Sequence, residues 1–223
     1  ESPLERHVYR VDIQKGNILK LTNASGIHSG ILSPEGKRLI VDFNGPSIPS
    51  RTTLVTAEGE EIRTLHLAED PLEDFALGEN RLVSVEASDG QTSLTGRLIL
   101  PPDFDPSQKY PVVVYVYGGP HSQLVNKSWH HGARLWQYYM ASQGFIAFTM
   151  DSRGTHYRGR EFETAVHRKL GVLETRDQMQ GIEYLKSLPY VDAERIGVHG
   201  WSYGGFMTLN MMLRHPDEFK AGV

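Results

Sequence analysis

A serine between two glycines is the part of the sequence best suited to chemistry. Residues 200–204 read Gly-Trp-Ser-Tyr-Gly, which fits the G-x-S-x-G pattern of a nucleophile on a sharp turn between a strand and a helix. An apolar run ends at His199 just before this motif, and a helix-compatible run covers residues 206–213 just after it. This context predicts that Ser202 is a nucleophile for acyl transfer, and an ordinary serine in a glycine-rich turn is the alternative.

Attack of a serine on a carbonyl creates an oxyanion, and two tyrosines are candidates for stabilising it. The turn itself should direct the backbone N–H of Tyr203 toward that oxygen. A second donor should come from residues 117–122, which follow a buried strand and offer glycine N–H groups and the hydroxyl of Tyr117. An aromatic ring that merely fills the edge of a sheet is the alternative for Tyr117, and the residues alone leave it open.

The acid and the histidine of a catalytic triad should follow the serine along the chain. Only 21 residues follow Ser202, and the candidates among them are His215, Asp217 and Glu218. These lie at the end of the helix that the serine turn begins, about 20 Å along its axis at about 1.5 Å per residue. We therefore expect the chain to lack the rest of the triad and to be inactive by itself.

The composition argues against several other kinds of site. The net charge is −4 with scattered basic residues, there are no cysteines, and no apolar run approaches the length of a membrane span. This pattern argues against nucleic acid, thiolate metal centres and membrane insertion. The adjacent His130 and His131 would diverge on a helix, so we expect no metal and no cofactor. We expect Arg153 to pair with an acid as a structural residue, the alternative being an anion-binding loop.

The first 80 residues read as short strands separated by glycine-containing turns. The strand candidates are residues 8–11, 18–21, 38–43, 53–56 and 62–65. Such spacing is typical of an antiparallel all-β module joined by hairpins. The segment contains enough strands for about one four-stranded repeat unit, with some strands left over. Isolated hairpins have marginal stability unless they stack on neighbouring units. The sequence therefore predicts part of a larger β-repeat array.

From residue 81 onward, strands alternate with helices. The strand candidates are residues 82–85, 95–100, 111–117, 145–150 and 195–199, and the helix candidates are residues 133–142 and 174–188. The run 111–117 is continuously apolar, as in a strand buried on both faces of a parallel sheet. This alternation predicts a mostly parallel, doubly wound α/β sheet with its site at the carboxyl ends of the strands.

Three ordered motifs resemble the prolyl oligopeptidase family, in its dipeptidyl peptidase IV branch. They are residues 116–120 (Val-Tyr-Gly-Gly-Pro), 151–154 (Asp-Ser-Arg-Gly) and 200–205 (Gly-Trp-Ser-Tyr-Gly-Gly). The chain is most similar to bacterial prolyl tripeptidyl and dipeptidyl aminopeptidases. The resemblance implies the C-terminal part of a β-propeller over residues 1–80. It also implies the first half of an α/β-hydrolase peptidase domain over residues 81–223.

The resemblance also implies an activity and roles for the site residues. The parent enzyme would remove N-terminal dipeptides or tripeptides, usually after proline, through an acyl-enzyme on Ser202. Tyr117 matches the tyrosine whose hydroxyl helps to bind the oxyanion. Tyr203 matches the residue that gives the backbone donor while its ring borders the proline pocket. Trp201 is expected to support the turn rather than to touch substrate.

Other properties follow from the resemblance alone. It implies peptide substrates, a secreted, periplasmic or cell-envelope location, and a parent enzyme that could be a homodimer. The triad acid and histidine, most of the proline pocket and the anchor for the substrate's amino terminus would lie outside this chain. Two other interpretations stay open: an acylaminoacyl peptidase or esterase of the same superfamily, and a non-catalytic hydrolase-like interaction protein.

Overall fold

The computed structural model describes residues 2–223, which divide into two compact units. The N-terminal unit comprises residues up to Phe75 together with Asn126–Gly132. The C-terminal unit comprises Ala76–Val125 and Ala133–Val223. The domain limits of 1–80 and 81–223 stay a prediction. No helix in the described part of the chain is both long and apolar enough to cross a lipid bilayer.

The N-terminal unit contains two antiparallel sheets. The smaller sheet pairs β1 (Tyr9–Val11) with β2 (Ile18–Lys20). The larger sheet has the strand order β3-β4-β5-β6, and its strands are β3 (Ile27–Leu32), β4 (Arg38–Gly45), β5 (Ile48–Thr56) and β6 (Glu61–Leu67). Four antiparallel strands in chain order have the form of one propeller blade. The predicted strands in this region are present, and the sequence pattern missed β3.

Residues 126–132 form a strap in the N-terminal unit. The strap ends in a kinked turn, Trp129–Gly132, in which His130 and His131 have left-handed backbone angles with φ of 51° and 55°. Lys127 Nζ lies 2.7 Å from Glu5 Oε1, and the Trp129 N–H donates to Asn44 Oδ1 at 3.0 Å. The hydrogen bond from Lys127 is the largest of several effects that lower the pKa of Glu5 to about 2. These bonds attach the strap to the start of the chain and to β4.

The C-terminal unit is built on one mixed sheet of six strands, in the order β12-β11-β9-β10-β8-β7. The strands are β7 (Asn80–Glu86), β8 (Ser93–Ile99), β9 (Tyr110–Tyr115), β10 (Ile146–Asp151), β11 (Val191–His199) and β12 (Ala221–Gly222). β8 runs antiparallel to both of its neighbours, whereas β10, β9, β11 and β12 pair in parallel. The predicted mostly parallel sheet is therefore confirmed.

Helices cover both faces of this sheet. They are α1 (Leu135–Ser142), α2 (Arg160–Thr164), α3 (Leu173–Ser187) and α4 (Tyr203–Arg214). α1 shares a buried cluster with Ile99 and Ala147, whereas α3 and α4 share a different cluster with Leu98 and Phe148. Successive residues of a strand point to opposite faces. The two clusters therefore lie on opposite faces, which confirms the doubly wound arrangement.

Candidate active site

The Ser202 turn has the backbone conformation that a nucleophile elbow requires. β11 ends at His199 and α4 begins at Tyr203, so the turn joins a parallel strand directly to a helix. Ser202 has φ 58° and ψ −118° and is exposed. A non-glycine residue with positive φ is strained and persists only where its surroundings impose it, most often at functional sites. The turn therefore presents the Ser202 side chain at the carboxyl end of the strand.

Two glycines of the turn are required by close backbone contacts. A Cβ atom added to Gly204 would overlap the carbonyl oxygen of Val116, and one added to Gly200 would overlap the carbonyl oxygen of Gly204. α4 can therefore approach the end of β9 only if both positions lack a side chain. Any larger residue at either glycine would force the turn away from the sheet.

Gly204→Ala should disrupt this turn, whereas the adjacent Gly205→Ala should not. The alanine at position 204 would strike a rigid carbonyl, so we expect destabilisation of about 1–3 kcal/mol together with loss of serine reactivity. A Cβ at Gly205 would only reach Gly200 O at 3.5 Å, an ordinary contact in a helix. Denaturant unfolding and fluorophosphonate labelling of the two variants would test this. Equal behaviour of both variants would contradict the steric requirement.

Two potential oxyanion donors lie beside Ser202. In residues 2–223, no group accepts a hydrogen bond from the backbone N–H of Tyr203, the first residue of α4. Tyr117 lies two residues past β9, which pairs in parallel with β11. The ring centroids of Tyr117 and Tyr203 are 6.1 Å apart. The structure thus brings the three predicted site residues together, and their catalytic roles stay a prediction.

Gly119 allows the two tyrosine rings to lie close together. A Cβ atom at this position would come within 2.6 Å of Tyr117 Cε1 and 3.1 Å of Tyr203 Cδ1. Any side chain there would push at least one ring away. The glycines after β9 thus leave space around the rings, besides offering backbone N–H groups.

The Tyr203 hydroxyl is held by a buried acid that the sequence patterns did not single out. It donates to Glu174 Oε1 at 2.8 Å, and the Glu174 side chain is fully buried in α3. Burial and then the adjacent Glu174 raise the pKa of Tyr203 well above its ordinary value. One signal was available: Glu174, Asp177 and Gln178 are polar residues on the α3 face that Ile182 and Leu185 mark as buried.

The structure does not bring a general base to Ser202. No side chain in residues 2–223 hydrogen-bonds to the Ser202 hydroxyl. The three C-terminal candidates stand at or beyond the far end of α4, as the helix length requires. One of them, Glu218, forms an ion pair with Lys186 of α3. The described residues therefore place no proton acceptor at Ser202, and a serine nucleophile would need one.

Two family models match this chain. The model described as the prolyl oligopeptidase family matches residues 132–223, which include the Ser202 turn. The model described as the dipeptidyl peptidase IV N-terminal region matches residues 1–50. Residues 132–223 therefore carry the sequence pattern of the prolyl oligopeptidase family. The chain accordingly contains part of a β-propeller followed by part of an α/β-hydrolase domain.

Curated relatives in this family are named as dipeptidyl peptidases. Dipeptidyl peptidase 8 of Mus musculus is 33% identical over 235 residues, which cover 100% of this chain and 26% of the relative. A probable dipeptidyl-aminopeptidase B of Aspergillus oryzae is 36% identical over 232 residues, covering 100% of this chain and 25% of the relative. The chain thus spans about a quarter of the length of these relatives.

Solved structures of similar proteins share the fold across nearly the whole chain. A putative dipeptidyl aminopeptidase IV from Bacteroides ovatus has a TM-score of 0.90 at 46% identity, covering 96% of this chain and 31% of that protein. Dipeptidyl peptidase 4 of Porphyromonas gingivalis has a TM-score of 0.91 at 33% identity, covering 99% of this chain and 31% of that protein. The chain therefore shares the fold and much of the sequence of one part of proteins that are named as dipeptidyl peptidases.

The Asp-Ser-Arg-Gly motif of the prolyl oligopeptidase resemblance has a structural role here. Arg153 donates through Nε and Nη2 to both carboxylate oxygens of Asp177, at 2.9 and 2.6 Å, and through Nη1 to Asp89 at 2.5 Å. These acids raise the pKa of Arg153. The expected pairing of Arg153 with an acid is confirmed. In the same motif, burial raises the pKa of Asp151 to about 6.

Trp201 is 79% exposed in this chain. The described residues fit the turn to the sheet through close backbone contacts at its glycines, and the expectation that Trp201 supports the turn stays a prediction. Among residues 2–223, no group of three or more histidine, aspartate or glutamate side chains could hold a metal ion.

Proposed function

We propose that the whole protein containing this chain is a serine aminopeptidase that removes N-terminal dipeptides or tripeptides, with proline before the cleaved bond. The observation that carries the proposal is the strained, exposed Ser202, which lies next to the Tyr203 N–H. The match of residues 132–223 to the prolyl oligopeptidase family supports peptide bonds as the target, and the relatives' names support release of dipeptides.

The proposed reaction proceeds through an ester on Ser202. Ser202 Oγ attacks the carbonyl carbon of the scissile amide and loses its proton to a general base in the rest of the enzyme. The carbonyl oxygen becomes an oxyanion, which accepts hydrogen bonds from the Tyr203 N–H and the Tyr117 hydroxyl. The C–N bond then breaks, the leaving amine takes the proton, and water hydrolyses the ester to release the short peptide.

A comparison of substrates tests this proposal. Dipeptide and tripeptide amides with a free amino group and a terminal proline residue should be cleaved by the whole enzyme. Matched N-acetylated peptides and simple esters should be poor substrates. Preference for blocked peptides or esters would instead indicate an acylaminoacyl peptidase or esterase. The 223-residue chain alone should cleave none of them, because its described residues place no base at Ser202.

Tyr117→Phe should lower kcat by about 10²–10³, with a smaller effect on KM, because it removes one oxyanion donor and keeps the ring. Tyr139→Phe is a matched control, since that ring is 64% exposed on α1. Steady-state kinetics of the whole enzyme on one proline-containing amide would measure both. An unchanged kcat in Tyr117→Phe would leave Tyr117 as an aromatic that fills the edge of the sheet.

Location and assembly are also proposals that rest on the family resemblance. We place the enzyme in the periplasm, in the cell envelope or outside the cell, and we expect it to form homodimers. Cell fractionation and light scattering of the whole protein would test these two statements. Neither bears on the chemistry at Ser202.

A further inference from the structure

Glu174 is a buried acid that the serine reaction does not use. Its side chain has no exposed surface, and Oε1 accepts the hydrogen bond from the Tyr203 hydroxyl at 2.8 Å. Oε2 is also buried and has no hydrogen-bond partner within residues 2–223. Burying a carboxyl group without full hydrogen bonding is costly. An apolar residue at this position of α3 would avoid that cost, so the acid needs another explanation.

The Tyr203 side chain is fixed at both ends of its ring. At the near end, the ring packs against the Phe206 ring at a centroid distance of 5.2 Å and faces Tyr117 at 6.1 Å. At the far end, Glu174 accepts from the hydroxyl. Since Tyr203 directly follows Ser202, its ring lies beside the place where the substrate's acyl residue would be held. The hydrogen bond to Glu174 therefore fixes the position of the Tyr203 ring, which lines one side of the space for the acyl residue.

We infer that Glu174 is a positioning residue that holds the Tyr203 ring as a wall of the acyl-residue pocket and so sets the preference for proline. The inference rests on the proposed peptidase function. Proline is rigid and cannot change its conformation to fit a displaced ring. Its binding should therefore depend most on a Tyr203 ring that is held in one position. Loss of the bond should therefore affect proline substrates more than alanine substrates.

Four variants of the whole enzyme separate this role from a purely structural one. Glu174→Gln keeps an acceptor at the same length, Glu174→Met removes it, and Tyr203→Phe removes the donor while keeping the ring. The fourth variant combines Glu174→Met with Tyr203→Phe. Gln178→Met is the matched control: Gln178 is buried one turn along α3 and donates to Met150 O at 2.9 Å, with no hydrogen bond to Tyr203.

The readout is kcat/KM for matched substrates that carry proline or alanine before the cleaved bond. Glu174→Met and Tyr203→Phe should each lower the proline-to-alanine ratio about 10-fold, mostly through KM, and Glu174→Gln should stay within about threefold of the parent. The double variant should resemble the single ones, because both changes remove the same bond. Gln178→Met should lower the melting temperature and leave the ratio unchanged.

Two different results would overturn the inference. If the parent is active but Glu174→Met and Tyr203→Phe both keep the parental ratio, the inference fails and the proposed function stands. If the parent cleaves no peptide and shows no serine labelling, the proposed function fails and takes the inference with it. Labelling with a fluorophosphonate counts the competent sites in each variant. Tyr203→Phe still tests the bond if Glu174→Met does not fold.

Discussion

Ser202→Ala should lower peptide hydrolysis by the whole enzyme about a million-fold, the size of effect expected when a serine nucleophile is removed. The same change should abolish covalent labelling by a fluorophosphonate. The physical reason is that Ser202 occupies a strained conformation at a strand–helix turn, beside an N–H that no described residue uses. Without its oxygen, the remaining donors can polarise a carbonyl but cannot form the ester.

The control for this experiment is Ser142→Ala. Ser142 is exposed at the end of α1 and donates to Tyr139 O at 2.7 Å. Its loss should leave activity and labelling unchanged. If Ser202→Ala keeps its labelling, the nucleophile lies elsewhere in the protein. If the parent itself is neither labelled nor active, the turn is a structural relic and the non-catalytic interpretation gains support.

Asp177→Ala should destabilise the C-terminal unit by about 3–5 kcal/mol, because it leaves a largely buried arginine without its main partner. The Asp177 side chain is fully buried, and the Arg153 side chain is only 12% exposed. Asp177 also accepts from the Arg153 backbone N–H and from the Ser88 hydroxyl. Removal of this one carboxylate therefore leaves several donors unsatisfied at once. Denaturant unfolding, with hydrogen exchange to locate the effect, would measure it.

Two further variants make this test specific to a buried pair. Asp192→Ala breaks a surface pair with Arg195, whose side chain is 56% exposed, and should change stability little. Arg153→Met combined with Asp177→Leu replaces the buried pair by apolar groups and should recover part of the loss. A loss of similar size from Asp177→Ala and Asp192→Ala would contradict the importance of burial.

Local patterns predicted the parts of the fold in which apolar runs are long. The buried strands predicted at 111–117, 145–150 and 195–199 correspond to β9, β10 and β11. The elements that were missed include β3, in which His28, Ser29 and Gly30 interrupt the apolar pattern, and two short ones, α2 with five residues and β12 with two. These elements depend on their neighbours in space, and a local pattern contains no information about those neighbours.

The same limit applies to the site. The Ser202 turn could be predicted because the glycines and the serine lie within five residues. The bond between Tyr203 and Glu174 joins two elements that are 29 residues apart, and the bond between Arg153 and Asp177 joins residues 24 apart. The type of partner for Arg153 could be predicted, but its identity needed the packing of α3 on the sheet.

The strap has a consequence for dissecting the enzyme. Residues 126–132 belong to the N-terminal unit, although the chain before and after them belongs to the C-terminal unit. Cutting the gene near codon 76 would therefore not isolate an intact hydrolase fragment. The Lys127 ammonium would lose its ion pair with Glu5, and the Lys127 backbone N–H would lose its hydrogen bond to Leu4 O. The Trp129 N–H would lose its hydrogen bond to Asn44. A minimal expression clone would have to replace residues 126–132 as well as omit the first 75.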